Sequence, residues 1–202
     1  MTLARRVTGP FAPLIGALIG ALGGAIYWLT VQIWPSSVAV IVSMAATAPL
    51  SGRMRGAMPA TRFDVSTYVL CLLIKYNALM ALSAAKLPFA VAQNLPLALI
   101  MICGYAASFA LMLSVMATRP VTPTPRISSG ALAVALVIGF TPAALLGIPG
   151  LIGLTAAIIA SLCIIAFLKF KRAGGSDDAL DMTQLLTEAC FYLGALATWR
   201  FV

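Results

Sequence analysis

Hydrophobic residues in this chain come in seven long runs, separated by short stretches that hold most of the charge. The runs cover about 13–34, 37–52, 64–85, 95–117, 130–146, 151–168 and 187–202. Several reach the roughly 17–25 residues that an apolar helix needs to cross a hydrocarbon core. The pattern predicts an all-α fold, a polytopic transmembrane helix bundle of six to seven spans. Residues 1–202 read as a single integral membrane domain. The second, fifth, sixth and seventh runs are short for a full crossing, so tilt, local thinning or partial re-entry is expected there. Pro35, Pro96 and Pro149 punctuate the connections. Between Thr118 and Arg126, three prolines fall within six residues, which predicts a semi-extended loop rather than helix.

Composition agrees with the pattern. A 62% hydrophobic content, 9% charged residues and a mean hydropathy of +1.05 lie far outside the soluble range. The net charge of +8 raises the question of nucleic acid. Its placement in short loops, without a groove-sized patch, argues for membrane lipids instead and against a nucleic-acid partner. With the N-terminus inside, the inside segments hold Arg5 and Arg6, then Arg53, Arg55 and Arg62. Arg119 and Arg126 follow, then Lys169, Lys171 and Arg172, while the outside keeps only Lys86 and Arg200. This asymmetry predicts a cytoplasmic N-terminus in a bacterial inner membrane. No cleavable signal is expected, because Arg5 and Arg6 precede a Gly-rich span without a small-residue cleavage site. Histidine is absent, and Cys71, Cys103, Cys163 and Cys190 stand apart within apolar runs, as small buried hydrophobes do.

Four groups of residues carry candidate chemistry. Gly16, Gly20 and Gly24 lie one turn apart on one helix face and predict a close helix–helix contact, within the chain or across a dimer. Lys75 falls mid-span, where an ammonium costs about 2.5–3.5 kcal/mol on insertion scales. It should face the bundle interior and meet a substrate phosphate or a carboxylate, unless it snorkels to an interface. Arg53, Arg55 and Arg62 are candidate phosphate ligands, because guanidinium groups grip phosphate bidentately; juxtamembrane arginines also set topology and hold lipid headgroups. Four of the chain's five carboxylates, Asp177, Asp178, Asp181 and Glu188, fall in one short stretch. Carboxylates beside a phosphate site are how Mg²⁺ is commonly held; the alternative is a solvated helix cap leading into the last span.

Three landmarks then line up in order. Arg6 through Gly24 is similar to an early Arg…Pro-Leu-Ile-Gly-x-x-x-Gly segment of the cobalamin-5-phosphate synthase (adenosylcobinamide-GDP ribazoletransferase) family. Lys75 with Ala78-Leu79 looks like that family's Leu-Lys-x-x-Ala-Leu helix, and Gly174 to Glu188 resembles its acidic tail. On that match Asp178 falls on the family aspartate and Glu188 on its final glutamate. The resemblance implies transfer of a phosphate-bearing corrinoid substrate onto α-ribazole with release of GMP. It also implies Mg²⁺ held by Asp178 and Glu188, phosphates gripped by Arg53, Arg55 and Arg62, and catalytic roles for Lys75 and Arg62.

The chain departs from the family in one loop. Where members carry Asp-Gly-x-x-Asp-Gly, the stretch from Ala48 to Arg62 contains no acid. Two further readings therefore stay open. One is a catalytically degenerate relative that serves as a structural or accessory subunit beside a membrane protein partner. The other is a transporter, which Lys75 and Asn77 suggest but which the lack of an internal repeat argues against.

Overall fold

The computed structural model describes residues 10–53, 65–84, 95–118, 127–170 and 177–199, and among these every regular element is an α-helix. In chain order they are α1 (Ala12–Thr30), α2 (Ser36–Arg53), α3 (Val65–Ala84), α4 (Leu95–Ala117), α5 (Ser129–Leu145), α6 (Ile148–Phe170) and α7 (Asp177–Trp199). By length and composition α1, Leu97–Ala117 of α4 and Ile148–Phe167 of α6 suffice to cross a membrane. Ser36–Leu50, Tyr68–Ala84 and Ser129–Leu145 are shorter apolar stretches. The chain is an integral membrane protein, as the hydrophobic runs imply.

Proline placement explains several boundaries. Pro35 immediately precedes α2, whereas Pro96 and Pro149 are the second residues of α4 and α6. In the first helical turn an N–H has no intrahelical acceptor, so proline begins a helix there instead of ending one. That is why α6 runs from Ile148 and is longer than the 151–168 run. Gly147, at φ +78°, makes the left-handed turn between α5 and α6 without the penalty a side chain would meet. The proline-rich stretch between Thr118 and Arg126 falls outside the described residues beyond Thr118.

The largest departure concerns the last helix. The apolar run predicts a short span over 187–202, but α7 begins ten residues earlier and takes in the acidic stretch. Polar residues on its first half hide it from hydropathy without hindering helix formation. Asp181, Gln184 and Glu188 recur at three- and four-residue spacing, so they share a face.

Helix α4 is the axis of the bundle. Its spanning stretch is 78% buried, against 44% for α1 and 22% for α6. A helix that is apolar all round belongs in an interior, and α1, α5, α6 and α7 pack around α4. The outer faces of α1 and α6 leave Leu18, Leu22, Ile159, Leu162 and Phe167 exposed, as lipid-facing side chains are.

The glycine face of α1 lies against α4 in antiparallel register. A Cβ on Gly16 would meet the Tyr105 carbonyl oxygen at 2.7 Å, one on Gly20 the Ile102 Cα at 2.7 Å, and one on Gly24 the Ala98 Cβ at 2.6 Å. The two backbones touch through these positions, so the glycine face serves packing within the chain. Gly20→Ala should therefore cost about 1–3 kcal/mol in unfolding from micelles. Gly130→Ala, where a Cβ meets nothing within 4 Å, should leave stability unchanged or slightly raised. Equal stability of the two variants would contradict the close contact.

Candidate functional site

Lys75 on α3 finds its partner on α7. Its Nζ lies 2.7 Å from Glu188 Oε1, and both side chains are almost wholly buried, at 5% and 3% exposure. Each sits near the middle of its helix and inside the apolar bundle, where an unpaired charge is poorly tolerated. The mid-span lysine thus meets a carboxylate, one of the two partners expected for it.

Other helices complete the cluster. Lys75 donates to the Tyr105 hydroxyl of α4 at 3.0 Å and lies 4.6 Å from the centroid of the same ring, so one tyrosine supplies an acceptor and a π-face. Tyr105 donates in turn to Thr47 Oγ1 of α2 at 2.9 Å. Thr47 donates back to the Ser43 and Met44 carbonyls of its own helix. On α7, Tyr192 donates to Glu188 Oε1 at 2.7 Å from one turn further along. Gly104 admits that ring against α4, because a Cβ there would fall 2.6 Å from Tyr192 Cε1. Ser43 completes the α2 side by donating to the Gly23 carbonyl of α1 at 2.7 Å. Five helices therefore meet through polar side chains inside an apolar bundle.

One turn before Glu188, Gln184 is 3% exposed, and its Oε1 has no hydrogen-bond partner among the described residues. Thr187, also buried, turns its hydroxyl to the Thr183 and Gln184 carbonyls. Asn77 stands apart, donating to the Leu73 carbonyl on the exposed side of α3.

The acids expected to share a metal are not brought together. Asp178 and Glu188 lie on one continuous helix, ten residues and so about 15 Å apart along its axis. Glu188 Oε1 is already engaged by Lys75 and Tyr192. Among the described residues no group of three or more His, Cys, Asp or Glu could hold a metal ion. Glu188 therefore does not fit the part of a Mg²⁺ ligand, and no step through magnesium is assigned to this cluster. The side chains of Asp177, Asp178, Asp181 and Arg53 lie outside the described residues, as do Arg55 and Arg62 entirely.

Sequence reasoning finds Lys75 and Glu188 but misses Thr47, Tyr105, Tyr192 and Gln184. A usable signal is present for two of them: Gln184 and Tyr192 stand four residues either side of Glu188, on its own helix face. Two substitutions on α7 should act in opposite directions. Tyr192→Phe removes a hydrogen bond to a charged group and should cost about 1.5–3 kcal/mol. Gln184→Met removes an unpaired acceptor and should stabilise by about 1 kcal/mol or more. Thermal unfolding in micelles reads both; destabilisation by Gln184→Met would show that the amide oxygen is satisfied in the membrane.

Comparison with known proteins points one way. Over 40 residues, 20% of this chain and 15% of the relative, it is 52% identical to the adenosylcobinamide-GDP ribazoletransferase of Leptothrix cholodnii. That match thus spans well under a quarter of the relative's length. Across 93% of this chain and 83% of the relative, it is 28% identical to the adenosylcobinamide-GDP ribazoletransferase of Ralstonia pickettii. The 224 aligned positions outnumber the 202 residues of the chain, so the Ralstonia protein carries internal segments that this one lacks. No family model matches the chain, and no solved structure matches it. The chain resembles adenosylcobinamide-GDP ribazoletransferases along nearly its whole length.

Proposed function

We propose that this chain is a membrane protein of the adenosylcobinamide-GDP ribazoletransferase type, set in a bacterial inner membrane with its N-terminus cytoplasmic. One observation carries the reading. Two landmarks of the resemblance that lie far apart in the chain, Lys75 and Glu188, meet at 2.7 Å in the middle of the bundle. The third, the glycine face of α1, packs on α4 beside Tyr105, which bonds Lys75. Residues that resemble the enzymes are thus also the residues that touch.

The reaction is a phosphate-linked group transfer. A hydroxyl oxygen of α-ribazole attacks the phosphorus that joins cobinamide to GMP. The new P–O bond forms as the bond to GMP breaks, GMP leaves with the electron pair, and the hydroxyl proton passes to solvent. Such a transfer is accelerated by cations preorganised around the phosphates. We assign that part to Arg53, Arg55 and Arg62. Lys75 is engaged by Glu188 and Tyr105, so it serves to position helices rather than to grip substrate.

A second reading rests on one specific feature. The chain has no acid before Asp64, so the loop around Arg53 to Arg62 supplies no carboxylate to hold a metal. That favours a degenerate relative acting as an accessory subunit of a membrane complex.

Purified protein in nanodiscs, given adenosylcobinamide-GDP, α-ribazole and Mg²⁺, is expected to release GMP. Arg62→Ala should slow release on the order of 10²-fold, the usual effect of removing one stabilising group. If the wild-type protein gives no GMP at saturating substrates, the transferase reading fails. Co-purification of a stoichiometric partner from native membranes would then support the accessory one.

A further inference from the structure

The hydrogen bonds around Lys75 run in one direction. Lys75 donates to Tyr105, Tyr105 to Thr47, and Thr47 to the Ser43 and Met44 carbonyls. Each donor is fixed by the acceptor beyond it, and such chains polarise and order their members in a low-dielectric interior. The origin of the chain is the charged pair, whose geometry Glu188 fixes from α7. Its end is α2, at a residue with no solvent exposure.

Helix α2 is the element that needs this anchor. It packs chiefly on α1 and α3, away from the central α4, and Val38, Ile41 and Ala45 on its outer side are exposed. Two residues past Thr47 it carries Pro49, which lacks the N–H that would bond the Ala45 carbonyl. The helix is weakened there, just before it ends at Arg53. Thr47, two residues before the weak point, is held in place by a side chain of α4.

We propose that Tyr105 and Thr47 are positioning residues. They carry the fixed geometry of the Lys75–Glu188 pair across the bundle to α2, and so hold the last turns of α2, which lead to Arg53, in place. The consequence for transfer rests on the function proposed above; the coupling between helices does not. Tyr105 touches no reacting atom in this scheme; its phenol joins Lys75 to Thr47.

Hydrogen–deuterium exchange of the full chain in nanodiscs tests the coupling directly. Tyr105→Phe keeps the ring that Lys75 faces and removes only the hydroxyl. It should raise exchange in residues 44–53 on the order of tenfold, while α1 and α6 keep wild-type rates. Thr47→Val should do the same, and Thr47→Ser, which keeps the acceptor, should behave as wild type. Unchanged exchange over 44–53 in both Tyr105→Phe and Thr47→Val overturns the proposal. So does a uniform rise in every helix, which would mean general loosening.

Activity gives an independent arm. In a protein that releases GMP, Tyr105→Phe should lower kcat about tenfold while α1 and α6 keep wild-type exchange, and Thr47→Ser should retain the wild-type rate. A variant with raised exchange over 44–53 and full activity removes the link to transfer. Absence of GMP from the wild-type protein removes the transferase reading and leaves the exchange result to decide the coupling.

Discussion

A lysine and a glutamate near the middle of membrane helices leave the chain few ways to arrange itself. Each costs several kcal/mol alone in hydrocarbon, and neither can reach water without leaving its helix face. Pairing at 2.7 Å cancels the net charge, and the Tyr105 and Tyr192 hydroxyls satisfy further hydrogen-bonding capacity. The pair therefore acts as a constraint more than as a source of net stability. Removing one partner strands the other, whereas a wholly apolar replacement need not be costly. The relative rotation of α3 and α7, and the face that α4 turns to both, follow from satisfying that one contact.

The surrounding packing makes the contact reachable. Glycines on α1 bring its backbone onto α4 on one side, while Gly104 lets the Tyr192 ring lie against α4 on another. Small residues do in lipid what apolar burial does in water, since helices gain association there through close van der Waals fit and interhelical hydrogen bonds. The central helix is thus surrounded closely enough for Tyr105 to bridge α3 and α2.

Much of this was legible in the sequence, and what was hidden has physical reasons. Helix class, membrane residence and five of the seven helices follow from run length alone. The sixth helix looked shorter because proline in a first turn reads like a break. The seventh lost half its length because Asp177 to Glu188 lower the hydropathy of a segment that is nonetheless helical. Lys75 stood out by its depth, and Glu188 by its scarcity among five acids. That they meet each other could not be read, since nothing in either helix specifies a partner distant in the chain. Resemblance grouped Glu188 with Asp178 as a metal pair; one turn per 3.6 residues places them far apart on the same helix.

The same geometry divides the labour proposed for the chain. Buried charges fix the helices, and phosphate chemistry is the part proposed for Arg53, Arg55 and Arg62. Everything in that division depends on Lys75 and Glu188 acting as one unit. A double-mutant cycle in micelles, with Lys75→Met, Glu188→Met and both together, measures this most directly. Each single variant should lose about 3–5 kcal/mol, and the double variant should lose less than either. Losses that simply add would show that the two charges do not depend on one another, and the account would fail at its centre.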